Sequence, residues 1–212
     1  MIENIYNDYF HSLLAGERSK CLEVVQSLLD HEVEIKTLYL ELFQKSLYEV
    51  GELWERNQIS VATEHLTTSI TESAMGLMQP LLFARERVGK KAVVSCIANE
   101  FHQVGGKMVA DIFEMHGWDG YFLGANTPLA DLLKMLNETK PDILCFSLSI
   151  YSNLPNLITS IETIKIEFPG LQVLVGGQAF RWGGSEVLKD LAKVELLESI
   201  EDLEKYLQDA NT

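Results

Sequence analysis

From Ile5 to Glu86 apolar residues recur at helical spacing, as in Leu38, Leu42, Leu47, Val50 and Trp54, the signature of amphipathic helices. No proline interrupts this half before Pro80, and breaks fall near Ala15-Gly16, Asp30-His31 and Asn57 to Ser60. The pattern predicts helices over Ile5 to Leu14, Arg18 to Leu29, Val33 to Arg56 and Val61 to Glu86, joined by short turns, which suits a four-helix bundle. Beyond Gly89 the rhythm changes. Short apolar, β-branched runs predict strands at Lys91 to Ile97, Gly120 to Leu123, Ile143 to Ser147, Gln172 to Val175 and, more weakly patterned, Lys193 to Leu197. Between and after them the spacing predicts helices at Gly105 to His116, Leu129 to Thr139, Leu154 to Glu167, Gly184 to Ala192 and Ile200 to Gln208. Strand and helix alternating with short connections imply a parallel sheet covered on both faces. The expected fold class is therefore α + α/β: a helical bundle over residues 1–88, then a flavodoxin-like, Rossmann-type parallel-sheet domain over 89–212. The boundary falls in the charged stretch Arg85 to Lys90.

Charge narrows the partners. The 212 residues carry a net charge of -14, so a face able to neutralise phosphates is not expected, and neither is direct nucleic-acid binding. The N-terminal stretch has no basic and apolar signal pattern, and no apolar run reaches the length of a membrane span, so a cytoplasmic location without membrane attachment is expected. Cys21, Cys96 and Cys145 are odd in number and sit in apolar surroundings, which points to buried thiols rather than disulfides.

In an open parallel sheet the carboxyl ends of the strands share one edge, where ligands bind. The loops predicted there carry unusual residues. After the first strand come Glu100, His102 and Gly105; after the third, Ser147, Ser149 and Asn153; after the fourth, Gly176 and Gly177; and after the second, the small and polar run Gly124 to Pro128. A polar loop with helix-opening glycines would explain any one of these. A flavodoxin phosphate loop would suit the fold, but the first loop lacks a Gly-rich or Ser/Thr-rich cradle. In the bundle, Trp54 closes the third helix, and Glu64-His65 opens the fourth. A capped helix start with Ser60 as N-cap accounts for Glu64, but not for Trp54 or His65.

Together these residues resemble the cobalamin (vitamin B12)-binding fold. Its motif of Asp-x-His-x-x-Gly, Ser-x-Leu and Gly-Gly is matched here by Glu100-x-His102-x-x-Gly105, Ser147-x-Ser149 and Gly176-Gly177. The resemblance implies that His102 is the lower axial ligand of cobalt, with the displaced nucleotide tail entering beside the Ser147 and Gly176-Gly177 loops. A carboxylate on the other imidazole nitrogen fixes the tautomer and raises basicity; here Glu100 replaces the family's Asp, and Asn153 stands where some methyl-transferring members carry a Ser. Trp54, nine residues, then Glu64-His65 also match the Trp-x9-Glu-His pattern of cobalamin-dependent photoreceptor regulators. In those proteins the bundle covers the upper corrin face, and these residues border the adenosyl group.

Two features depart from those regulators. The sequence begins almost directly with the bundle, without a DNA-binding domain ahead of it, and Glu55 replaces the His that follows the motif Trp. The resemblance therefore implies a non-enzymatic cobalamin sensor, light-responsive in the way of that subgroup and favouring adenosylcobalamin over methylcobalamin. It would signal through a protein partner such as a transcription regulator, or through a light- or ligand-dependent homo-oligomer. Two alternatives keep the scaffold: a corrinoid methyl carrier serving a methyltransferase, and a binder of another tetrapyrrole.

Overall fold

The computed structural model describes residues 2–210 and divides the chain into two compact units, Met1–Leu81 and Leu82–Thr212. The first unit is all helical. Helices α1 (Ile2–Leu14) and α2 (Arg18–Asp30) are followed by a third, α3. This begins at Ile35–Thr37, runs as a π-helix over Leu38–Gln44 and returns to α-helix over Lys45–Glu55. Helix α4 (Val61–Met75) continues through a 3₁₀ turn, Gly76–Met78, into a last helical turn, Gln79–Leu82. The core is aromatic and aliphatic: Tyr9, Tyr39 and Phe43 are fully buried, with ring centroids 6.2 Å apart for Tyr9 and Phe43 and 6.1 Å for Tyr39 and Phe43. Leu38, Tyr39, Leu42 and Phe43 all lie in the π-helical stretch and are all buried, so the irregular segment supplies much of the bundle's core.

Ser60 opens α4. Its Oγ accepts a hydrogen bond from the Thr63 amide at 3.1 Å, satisfying one of the donors that a helix start leaves unpaired. Asn57 turns the chain with φ 56°, and its amide donates to the carbonyl of Trp54 at 2.9 Å. The end of α3 and the start of α4 are thus joined by a tight, locally bonded turn.

The second unit is a five-stranded parallel sheet in the order β2-β1-β3-β4-β5. The strands are β1 (Lys91–Ser95), β2 (Asp119–Phe122), β3 (Ile143–Ser147), β4 (Gln172–Gly176) and β5 (Val194–Leu196). Val93 stands opposite Tyr121 on one side and Leu144 on the other, and Cys145 stands opposite Leu174. All five residues of β3 are buried, as expected of a central strand covered on both faces. Helices α5 (Val104–Met115), α6 (Leu129–Thr139), α7 (Leu154–Glu167) and α8 (Ile200–Ala210) complete the unit. The strand order reverses between β1 and β3, which places the ligand crevice of such sheets between their carboxyl ends.

Two expected elements differ. The fourth helix stops at Leu82 rather than Glu86, because the chain beyond it is tied to the sheet unit. Val88 donates its amide to the Gly117 carbonyl at 2.9 Å, Arg87 donates to the Trp118 carbonyl at 2.7 Å and pairs with Glu114, and Lys90 lies 5.3 Å from the Trp118 ring centroid. The helix expected over Gly184 to Ala192 is also absent. That stretch holds only a short 3₁₀ turn, Glu186–Leu188, and another, Gln178–Trp182, precedes it. Gly183 and Gly184 take φ of 108° and 87°, outside helical space, and Gly184 packs so close to Leu154 that a Cβ would lie 2.4 Å from its Cδ2.

The three cysteines are free and buried. No helix among the described residues is long and apolar enough to cross a membrane. Ser60→Ala is expected to destabilise the protein by about 1 kcal/mol, the usual worth of such a cap, read as a lower denaturant midpoint. An unchanged midpoint would mean that the cap contributes nothing.

Candidate functional site

The loop leaving β1 carries the candidate chemistry across the crevice. Glu100 has no exposed surface, and both of its oxygens are fully engaged. Oε1 accepts from the His102 amide at 3.1 Å and from His102 Nδ1 at 2.8 Å. Oε2 accepts from the amides of Ser149 and Ile150, each at 3.0 Å. Burial pushes this carboxyl up, but the His102 imidazole and the amides of Ile150, His102 and Ser149 outweigh it and hold Glu100 at about 2. The group is therefore a fixed negative charge at neutral pH.

An ionised carboxylate only accepts, so His102 Nδ1 carries the proton of this contact, and when the ring is neutral its lone pair lies on Nε2. The His102 side chain is 45% exposed, while its partner is sealed. Behind it, the Cys96 thiol donates to the His102 carbonyl at 3.7 Å. Burial, followed by the charge of Glu100, pushes that thiol up to about 12, so it remains a neutral donor.

The other loop residues fall into distinct roles. Ser147 ends β3 and is buried, and a Cβ on Gly105 would come 3.4 Å from its Oγ. The neighbouring Gly106 is tighter still, since a Cβ there would lie 3.1 Å from Phe122 Cε2 and 3.4 Å from Ser147 Cβ. Two glycines thus let the start of α5 close on the end of β3. Ser149 contributes its backbone amide. Asn153 donates from Nδ2 to the Asn99 carbonyl at 3.1 Å, a loop-to-loop contact; the second oxygen of Glu100 is held by main-chain amides instead.

Gly176 pairs with Ser147 across the sheet. Gly177 takes φ 114°, and a Cβ there would sit 2.2 Å from the Leu148 carbonyl oxygen. Its lack of a side chain is thus required by neighbouring backbone.

In the helical unit, Trp54 is 42% exposed. Glu64 lies in the first turn of α4, where a carboxylate suits the helix dipole. Its Oε1 accepts from Thr68 Oγ1 at 3.0 Å, and its Oε2 lies 3.5 Å from His65 Nε2. The His65 side chain is 75% exposed. Val61 and Leu66, also exposed, give this end of α4 an apolar character that the motif residues alone did not suggest.

What the sequence pattern passed over is the bracing around His102. Asn99 and Asn126 both take positive φ, 68° and 51°, and the Asn99 amide donates to Asn126 Oδ1 at 2.8 Å. Asparagine is among the few residues that tolerate such backbone, so Asn99 and Asn126 in polar loops were the available signal.

A parallel sheet with a carboxylate-backed, partly exposed imidazole at its switch point belongs to the class of sheets that bind ligands at their strand ends. Comparison with known proteins makes this specific: the B12 binding domain families match residues 5–79 and 90–196. The chain belongs to the B12 binding domain family and is a cobalamin-binding protein.

Its relatives include a transcriptional repressor and a corrinoid protein. The HTH-type transcriptional repressor CarH of Myxococcus xanthus is 28% identical over 143 residues, 66% of this chain and 47% of its own length. Trimethylamine corrinoid protein 1 of Methanosarcina acetivorans is 23% identical over 146 residues, 68% of each chain. The chain thus spans about half the length of the repressor it matches. In fold, it is similar to the monomethylamine corrinoid protein of Methanosarcina barkeri, with a TM-score of 0.83 at 13% identity, over 99% of this chain and 100% of that one.

Because Glu100 is held at about 2 against an ordinary 4.5, the unfolded chain binds more protons in that window. The carboxylate then contributes on the order of 3 kcal/mol above about pH 4.5, lost as pH falls toward 2. Glu100→Gln is expected to lower stability at pH 7 and to flatten its decline across this window. Parallel denaturation curves for variant and wild type at each pH would show that the charge is not held. Gly177→Ala is expected to cost about 2–4 kcal/mol or to prevent folding, measured by denaturant unfolding, whereas a near-neutral change would contradict the close approach to Leu148.

Proposed function

We propose that this protein is a non-enzymatic cobalamin sensor that takes cobalt through Nε2 of His102 and signals through a protein partner. The Glu100–His102 pair carries the ligand assignment. The carboxylate engages Nδ1 and two amides across the crevice, so the remaining nitrogen of a neutral ring is presented from a rigid base. The small residues Gly105 and Ser147 suit a nucleotide tail passing beside them, with Gly176 and Gly177 at the end of the neighbouring strand and Ser149 and Asn153 holding the loop. When bound, cobalamin supplies a cobalt–carbon bond that light or a nucleophile can break. The chain's own residues position, shield and report.

The sensor reading draws on the helical unit. Trp54 offers a flat, exposed face for an adenosyl group, and Glu64 offers an acceptor fixed by Thr68. Adenosylcobalamin is the favoured form, and a transcription regulator is the expected class of partner, in keeping with the likeness to a repressor. Glu55 follows Trp54, so the histidine of that position is missing here, and among the bundle's motif residues His65 alone carries an imidazole.

A second reading, a corrinoid methyl carrier for a methyltransferase, is favoured by the likeness to the trimethylamine corrinoid protein over equal shares of both chains. It predicts that methylcobalamin binds as well as the adenosyl form and gives up its methyl group to a partner enzyme.

Purified protein mixed with adenosylcobalamin in darkness, desalted and then illuminated with green light separates the two. The sensor reading expects a retained, base-off, histidine-on spectrum and a light-dependent change in assembly or partner affinity. A spectrum that converts as free adenosylcobalamin does, with assembly unchanged, favours the carrier. His102→Ala is expected to abolish the histidine-on spectrum and to weaken binding by about 100-fold or more, since losing an outer-shell partner alone costs about 10–100-fold. Trp54→Ala is expected to alter adenosyl selectivity with the lower-ligand spectrum intact. Equal affinity and spectrum in His102→Ala would overturn the ligand assignment.

A further inference from the structure

Three strand-end loops of the sheet unit are stitched together by asparagines. Asn99, one residue before Glu100, stands at the junction. Its amide donates to Asn126 Oδ1 in the loop after β2 at 2.8 Å, and its carbonyl accepts from Asn153 Nδ2 in the loop after β3 at 3.1 Å. The Asn126 amide returns to the Glu100 carbonyl at 2.8 Å, so the β1 and β2 loops are bonded reciprocally. With the Glu100 carboxylate on Ser149 and Ile150, each neighbour of the His102 loop is tied to it twice or more.

Both contacts are fixed in sense. A backbone amide can only donate, so Asn126 must present oxygen to Asn99; a backbone carbonyl can only accept, so Asn153 must present its NH₂ group. Asn99 at φ 68° and Asn126 at φ 51° hold left-handed backbone, costly for most residues. The side-chain bonds keep these two turns in place.

We propose that Asn126 and Asn153 are positioning residues that hold the His102 loop in its ligand-presenting shape before any corrinoid arrives. The inference rests on the reading of His102 as lower ligand, but its first test needs no cofactor. Preorganisation of this kind strengthens binding by removing the ordering cost from the association step. It also makes opposite demands on two residues of one type: position 126 needs an acceptor, and position 153 needs a donor.

The test uses Asp and Ala at each position. In the cofactor-free protein, hydrogen exchange followed by NMR is expected to show the Asn99 amide protected in wild type and in Asn126→Asp. In Asn126→Ala it is expected to exchange roughly fivefold faster, the scale of one lost hydrogen bond. With cobalamin added, Asn126→Asp is expected to retain the wild-type histidine-on fraction. Asn126→Ala, Asn153→Ala and Asn153→Asp are expected to lower it, Asn153→Asp most, because a carboxylate would face the Asn99 carbonyl. Asn126→Asp matching Asn126→Ala, or Asn153→Asp matching wild type, would overturn the proposal. So would an Asn99 amide that exchanges in wild type as fast as an open loop. If wild type bound no corrinoid, the ligand reading would fall, while the exchange data would still decide whether the loops are stitched.

Discussion

A buried carboxylate must be paired or it will not stay charged, and Glu100 is paired on every side. Its four hydrogen bonds come from one imidazole and three main-chain amides, and burial makes each of them stronger than it would be in water. Through this group the β1 loop and the β3 loop become one body at the point where the sheet's strand order reverses. The tautomer of His102, the path of the chain through Ser149 and Ile150, and the closeness of α5 to β3 all agree with that arrangement. The sheet supplies the crevice, and the carboxylate supplies its chemical polarity.

The helical unit follows a different logic. Its interior is closed by aromatic packing among Tyr9, Tyr39 and Phe43, while its polar features sit at the junction of α3 and α4. Trp54 and His65 are both exposed there, on either side of a turn bonded by Asn57 and capped by Ser60. Exposed aromatic and imidazole groups at a rigid helix junction do little for stability. The sensor reading draws on them.

Much of this was legible in the sequence. The central strand β3 and the helices Leu129–Thr139 and Leu154–Glu167 were read with their observed bounds, because long apolar periods and flanking turn residues agree there. The pairing of Glu100 with His102 was implied by the resemblance of their loop to the cobalamin-binding motif, and the structure has it. Less legible was whatever depends on tertiary closeness. Gly184 looked like the start of a helix because its following residues have helical spacing, but Leu154 occupies the place of its Cβ. Gly177 has a further reason to be glycine that the sequence did not show, since the Leu148 backbone occupies the place of its Cβ. The π-helical turn from Leu38 to Gln44 has the same apolar spacing as an ordinary helix, so periodicity could not reveal it.

Main-chain anchoring of Glu100 also bears on how freely positions 149 and 150 can drift. Only the amide hydrogens of Ser149 and Ile150 meet the carboxylate, and nearly every amino acid has one. The identities of those side chains are thus released from the task, and a reader searching for a hydroxyl partner would find no trace of the contact. Proline alone lacks the donor. The contact is written in the absence of one residue type rather than in the presence of another, which makes it almost invisible in a single sequence and robust to most substitutions.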